Sequence, residues 1–374
     1  MLLKVLVIGG GFAGAQVAID LAKCNHVEVT LVTRTDFFEV SFANARSVVE
    51  PSIAGKALWL YEAMKSHGNF IQEQVVELND GGATLADGRQ LPFDYAAIAT
   101  GSSYAVGKSS TATTLQQRLQ ELQGLAGRVQ AARSVLVVGG GPLGVELAGE
   151  VLTDLPGVEV TLVHGGQRLL PSLTPKASAA AEAWLRSKGC KLLLGDKLEV
   201  PLERSGGPFN GTTAAGVAVS ADVLLLATGI TTNSGLMAKQ LPDAVDPRGC
   251  IKVDHTLRVV GHPRLFALGD VTDVPEEKLA FLASQQGQLV AASIAALATA
   301  HASGGQAAAN AAGRRLGSWR PSKGVAVMVV TLGRNYAVGR IGCLTLSGWL
   351  PTLIKARHLG AFVDKYRRQL LAQP

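Results

Sequence analysis

The chain has 374 residues, 47% of them hydrophobic and 43 of them glycine, with a formal net charge of +6. That length supports two or three domains with proper cores, and the Gly-rich, Ala/Val/Leu-dominated composition points to α/β layers with many tight turns. Cys24, Cys190, Cys250 and Cys343 form no CxxC or CxxxxC pair, which argues against a redox-active disulfide and a metal cluster.

The opening MLLKVLVIGGG runs straight into a strand and a glycine turn, without the small-residue cleavage site of a secretory signal. Leu2 excludes N-myristoylation. Next, Val5–Leu21 (VLVIGGGFAGAQVAIDL) reads as an apolar strand, a turn with Gly9, Gly10 and Gly11, and a helix opening on Phe12, Ala13 and Gly14. The strand VEVTLV follows at Val27–Val32, and Thr33 stands where an acid often ends it. A hairpin turn at Asp87–Gly88 leads to the return strand Tyr95–Ser103, which carries Thr100 and Gly101 in an ATG triplet.

The same pattern then repeats about 130 residues on, too long a period for a solenoid and suited to tandem βαβ domains. Val135–Leu152 (VLVVGGGPLGVELAGEVL) holds Gly139, Gly141, Pro142, Leu143 and Gly144. VEVTLV recurs at Val158–Val163, followed by His164, and a second ATG contains Thr228 and Gly229. In each GxGxxG the first glycine makes the turn, the second admits a pyrophosphate and the third packs helix on strand. The phosphate then sits at a helix N-terminus. Two such sites suggest FAD and a nicotinamide cofactor. A third apolar strand ends in Gly269–Asp270, where the carboxylate can accept hydrogen bonds from the ribityl hydroxyls of a flavin, so FAD belongs to the first turn.

A helix is expected from about Lys278 to Ala302; its apolar run, Leu289–Ala302, is too short and Ala-rich to span a bilayer. Residues 303–318 read as an Ala/Gly-rich linker or surface insertion. A new strand begins after Arg320. In the tail, Ser347–Pro374 carries five Lys/Arg and one acid. Its apolar residues Leu350, Leu353, Ile354, Leu359, Phe362, Tyr366 and Leu370 have broadly helical spacing, interrupted by Pro351 and Gly360, which suits a surface helix on anionic lipid. The alternative is a helix docked on the protein's own core.

The constellation GGGFAG, ATG, GGGPLGVELAGE, ATG and FALGD resembles the two-dinucleotide-binding-domain flavoproteins, in the apoptosis-inducing-factor-like branch, the family of ferroptosis suppressor proteins. It is similar, more distantly, to type II NADH:quinone oxidoreductases. The resemblance implies an α/β fold of two Rossmann-like domains plus a small C-terminal α+β region. Residues 1–105 and 250–302 would bind FAD, 106–249 NAD(P)H, 303–318 would link, and 319–374 would form the C-terminal domain. It implies that Arg46 lies near the flavin or its phosphates, that Val75 gives backbone contacts to adenine and that Asp270 holds the ribityl. Glu146 would lie near the nicotinamide and Lys355 near the flavin, where it could stabilise a flavin anion or donate a hydrogen bond to a quinone. The activity implied is reduction of a lipid quinone, of the coenzyme Q or vitamin K type.

Two positions depart from the family pattern. Thr33 leaves Arg34 or Asp36 to compensate at the FAD ribose, and Gly360 replaces an aromatic near the tail lysine. His164 cannot repel a 2′-phosphate and Arg168 lies close behind, so both NADH and NADPH are expected to be accepted. A soluble reductase of a small molecule or iron–sulfur protein, and a DNA-binding death-signalling flavoprotein, remain as alternatives. The basic excess is concentrated in one tail and no nucleic-acid module is visible, which disfavours the last. The expected location is cytoplasmic, peripheral on membranes or lipid droplets at most.

Overall fold

A computed structural model describes residues 2–61, 68–109, 111–201, 204–321 and 327–371. In chain order it opens with β1 (Leu3–Ile8), α1 (Phe12–Leu21), β2 (Val27–Thr33), α2 (Asn44–Ser47), β3 (Asn69–Gln72), β4 (Tyr95–Ile98) and the short β5 (Ser102–Ser103). The repeat supplies β6 (Ser134–Val138), α3 (Pro142–Asp154), β7 (Glu159–His164), β8 (Lys191–Leu194), β9 (Val223–Leu226) and β10 (Thr231–Thr232). The chain then returns through β11 (Arg258–Val259), β12 (His262–Ala267) and α4 (Ala280–Gly313), and closes with β13 (Val327–Thr331), β14 (Ala337–Ile341), β15 (Leu344–Gly348) and α5 (Trp349–Leu371).

The first sheet has the order β11-β12-β4-β1-β2-β3, and the second β8-β7-β6-β9. The second is parallel throughout, and in the first only β11 runs against its neighbour. Both sheets bury Val, Ile and Leu on two faces, as helix-covered parallel sheets must. The two repeats match in detail: Ile8 faces Val32 and Ile98, while Val138 faces Val163 and Leu226. Helix α4 packs along α1 so closely that a Cβ added at Gly287 would lie 2.7 Å from the Ala13 carbonyl oxygen.

The two chain crossings between the sheets are paired. β5 and β10 form an antiparallel ribbon in which Ser102 faces Thr232 and Ser103 faces Thr231. Asn233 tightens this joint, donating from its backbone N–H to Gly101 O at 2.9 Å and from Nδ2 to Thr100 O at 3.0 Å.

One expectation gains detail and one needs correction. The stretch 303–318, expected as a linker or surface insertion, carries helix as far as Gly313: α4 continues there past a break at Gly304–Gly305, where Gly305 takes φ +66°. Alanine favours the helix, and the paired glycines set the break. In the tail, neither Pro351 nor Gly360 interrupts α5. Pro351 falls in the first turn, where a missing N–H leaves no gap.

Candidate dinucleotide and electron-transfer site

The first glycine turn is shaped by close packing. Gly9 N–H donates to Val32 O at 2.8 Å, and Gly9 has φ +103°. A Cβ at Gly9 would lie 2.4 Å from Ala99 O, and one at Gly14 would lie 1.9 Å from Gly9 O. Nothing stands within 4 Å of a Cβ at Gly11, so the turn is open at that point. Phe12 and Ala13 are buried in the first turn of α1, which has neither a side-chain cap nor an acid. The second turn repeats this geometry. Gly139 has φ +115° and its Cβ would meet Ala227 O at 2.1 Å, Gly144 would meet Gly139 O at 1.8 Å, and Gly141 is open. Pro142 occupies the start of α3, again without an acid in the first turn, and Leu143 packs at its flank.

Thr33 and His164 hold equivalent places. The Thr33 methyl lies 3.2 Å from a Cβ built on Gly10, and the His164 ring lies 2.6 Å from one built on Gly140. Burial pushes the His164 pKa below its ordinary 6.5, which favours the uncharged ring. Arg168 holds its own loop, donating to Leu173 O at 2.9 Å and Pro171 O at 2.7 Å. Asp36 is engaged elsewhere too: its carboxylate accepts the Leu115 N–H at 2.7 Å, capping the helix Leu115–Ala131. Arg34 is exposed at the end of β2. Glu73 N–H donates to Thr33 O at 2.9 Å, which brings the chain before buried Val75 beside that strand end.

Thr100 follows β4, and its hydroxyl is buried without a hydrogen-bond partner. Gly101 takes φ +67°, and the chain turns so that Ser102 Oγ donates to Asp270 Oδ2 at 2.6 Å. Lys108, which the sequence did not single out, reaches the same carboxylate oxygen at 3.5 Å. Gly269 N–H donates to Gln286 of α4 at 2.6 Å, fixing the Asp270 turn against that helix. Thr228 and Gly229 follow β9 and are exposed.

Glu146 and Lys355, 209 positions apart, form an ion pair. Thr331, at the end of β13, completes a three-residue joint. Its backbone N–H and its hydroxyl each donate to Glu146 Oε1 at 3.2 Å, and Lys355 Nζ donates to the Thr331 hydroxyl at 3.3 Å. Sequence reading missed Thr331, and no local motif marks it.

Glu146, Glu150 and Asp154 lie four residues apart on one face of α3. The guanidinium of Arg46 binds Glu150 and Asp154 there, and Glu50 at 3.0 Å. Arg334 binds Asp154 and Glu50, each at 3.0 Å. The Arg46 bonds thus run to carboxylates that join the first sheet's α2 to α3. Each acid of the stripe is held by a cation from outside the second unit.

The tail helix has two characters. Tyr366 is 0% exposed, with its ring stacked on Phe38 at 5.5 Å and edge-on to Phe12 at 5.2 Å. Its hydroxyl meets Phe12 O at 3.1 Å, Gln16 Oε1 at 3.2 Å and Ser284 Oγ at 2.7 Å. Trp349, Leu350 and Leu353, at the other end, are exposed by 66%, 48% and 57%. No helix of the described residues is long and apolar enough to cross a membrane.

The family model for pyridine nucleotide-disulphide oxidoreductases matches residues 3–296. The chain is 30% identical to apoptosis-inducing factor homolog B of Dictyostelium discoideum, over 98% of this chain and 96% of that one. It is 31% identical to human ferroptosis suppressor protein 1, over 96% and 93% respectively. The sulfide:quinone oxidoreductase of Aquifex aeolicus superposes with a TM-score of 0.74 over 99% of this chain and 93% of that one; at 16% identity this likeness carries the fold alone.

Proposed function

The chain belongs to the pyridine nucleotide-disulphide oxidoreductase family and is an FAD-dependent NAD(P)H oxidoreductase; on that premise we propose that its electron acceptor is a lipid quinone. The observation that carries this reading is the Glu146–Lys355 joint. It sets a cation from the apolar, basic tail beside the helix that begins at the second glycine turn. The family resemblance implies quinone reduction, and the exposed Trp349, Leu350 and Leu353 give α5 a face suited to the membrane interface where such a substrate resides.

The two turns fit two dinucleotides. Both are packed too tightly for side chains at their first and third glycines and are open at the second. The orphaned Thr100 hydroxyl adds an unused polar group at the first. FAD would lie on Gly9, Gly10, Gly11 and Gly14, with the Phe12 and Ala13 amides toward its pyrophosphate. Arg34 and Val75 would border its adenosine, and Asp270 would accept from the ribityl. NAD(P)H would lie on Gly139, Gly141, Pro142, Leu143 and Gly144, with Thr228 and Gly229 at its far end. When bound, these groups supply hydride transfer and onward electron transfer. The chain's own part is to orient and to handle protons: Glu146 aligns the nicotinamide carboxamide, and Lys355 Nζ holds a proton beside it.

Steady-state oxidation of NADH and NADPH with a short-chain ubiquinone tests this. Turnover with both nucleotides, within about tenfold in kcat/KM, is expected, because His164 brings no negative charge to repel a 2′-phosphate. His164→Asp should restore preference for NADH by tenfold or more, roughly the effect of one repulsive charge contact. Flavin reduction without quinone turnover would overturn the acceptor.

A further inference from the structure

We propose that Thr331 is a positioning residue that divides the two oxygens of Glu146, committing Oε1 to the protein and keeping Oε2 for the nicotinamide. The inference rests on the reading of Glu146 just given and goes beyond it. Three donors converge on Oε1: the ammonium of Lys355, the Thr331 backbone N–H and the Thr331 hydroxyl. None of the described residues donates to Oε2. A carboxylate paired only with a flexible lysine can rotate and share the cation between its oxygens. The Thr331 N–H and hydroxyl reach Oε1 from the same residue at the end of β13 and hold it only together: with the hydroxyl gone, a single N–H leaves the carboxylate free to swing and share the cation between its oxygens.

The hydroxyl has a second task. It donates to Glu146 and accepts from Lys355 at 3.3 Å, so it keeps the ammonium on the Oε1 side. The free Oε2 is then an acceptor in a site where side-chain exposure of Glu146 is only 13%. A carboxylate acceptor so held selects a ligand with an N–H donor, which the nicotinamide carboxamide supplies. Thr331 touches neither nucleotide nor flavin in this scheme; it acts through Glu146.

The test compares binding of NAD+ with that of 3-acetylpyridine adenine dinucleotide, whose methyl ketone has no N–H. It uses the oxidised holoenzyme, and flavin content is recorded for every variant. The wild type should bind NAD+ roughly tenfold more tightly than the analogue, the range of one hydrogen bond to a charged group. Thr331→Val should bring that ratio to about twofold with flavin content unchanged, and Thr331→Ser should restore it. If Glu146→Ala removes the discrimination while Thr331→Val keeps it, the Thr331 role is wrong and the Glu146 assignment stands. If Glu146→Ala also leaves discrimination intact, the assignment of Glu146 to the nicotinamide itself fails. Equal loss of discrimination in the valine and serine variants would show a packing role and overturn the proposal.

Discussion

Replacing Tyr366 by Ala should undock the tail helix without unfolding the molecule. The ring is fully buried between Phe12 and Phe38, and its hydroxyl meets three oxygens. Truncating a buried aromatic costs about 3–5 kcal/mol. At about 1.4 kcal/mol per tenfold, the undocked population rises by roughly a hundredfold to a few thousandfold. Total stability of a domain is about 5–15 kcal/mol, so the terminal helix opens first and the sheets survive. Tyr366→Phe keeps both ring contacts and loses only the hydroxyl, a cost of about 1–2 kcal/mol. The assay is limited trypsin digestion of the holoprotein, with mass spectrometry of the cut after Arg357. That residue is exposed in the middle of α5, so cleavage there requires the helix to unwind. Cutting should accelerate strongly in the alanine variant and weakly in the phenylalanine variant. An alanine variant cut at the wild-type rate, or one that melts globally with no local opening, would refute the anchoring role of Tyr366.

The glycine turns give paired outcomes. Gly14→Ala should abolish flavin binding, and Gly144→Ala should leave flavin bound but stop its anaerobic reduction by NADH, because each new Cβ falls within 2 Å of a carbonyl oxygen; flavin absorbance reads both. Arg46→Ala leaves Glu150 buried without its cation and Asp154 with Arg334 alone, and should destabilise the holoprotein by about 3–5 kcal/mol in thermal or urea unfolding. The same cluster sets an acid limit. Hydrogen bonding from Arg46 holds the Glu50 carboxyl below its ordinary 4.5; for Asp154, burial pushes upward, but bonds from Arg334 and Arg46 prevail and hold it below 3.8. Depressed folded values mean that their stabilisation is complete above about pH 5 and lost as pH falls through those values. Burial raises Glu150, which opposes them above pH 4.5. Wild type should therefore lose stability more steeply than Arg46→Ala between pH 5 and 3.

Much of the fold is legible because its repeat is local. VEVTLV, the glycine spacing and the two ATG triplets each report one strand and one turn, and the registers of β1 and β6 follow from them. The helix that resumes after Gly305 is written in its alanines, but paired glycines in an Ala/Gly-rich stretch read equally as a linker or a surface insertion, so the sequence alone does not separate a break from an end. Tyr366 entered the sequence reading as one of a row of apolar tail residues. Periodicity assigns it to a face but not to an occupant, and only the pocket formed by α1 and α4 explains why it points inward. The site is less legible still. Glu146, Glu150 and Asp154 form a visible stripe on α3, yet nothing local identifies the cations that hold it. Thr331 has meaning only once 185 positions of chain have been folded between it and Glu146.

The paired crossings at β5 and β10 also order events during synthesis. The second sheet leaves and rejoins the first at neighbouring strands, and all of its strand pairings are internal, although its core also packs on Val48, Met328 and Val330 from outside it. The first sheet differs: β4 must wait for β12, made only after the whole second sheet has emerged. At roughly 5–20 residues per second, that delay is on the order of ten seconds. Asp270 and α4 emerge later still. The strands of the second sheet can therefore pair while the ribosome is still at work, whereas the first sheet waits for β12, and the core that the second sheet shares with β13 and β14 closes only when the end of the chain has been made.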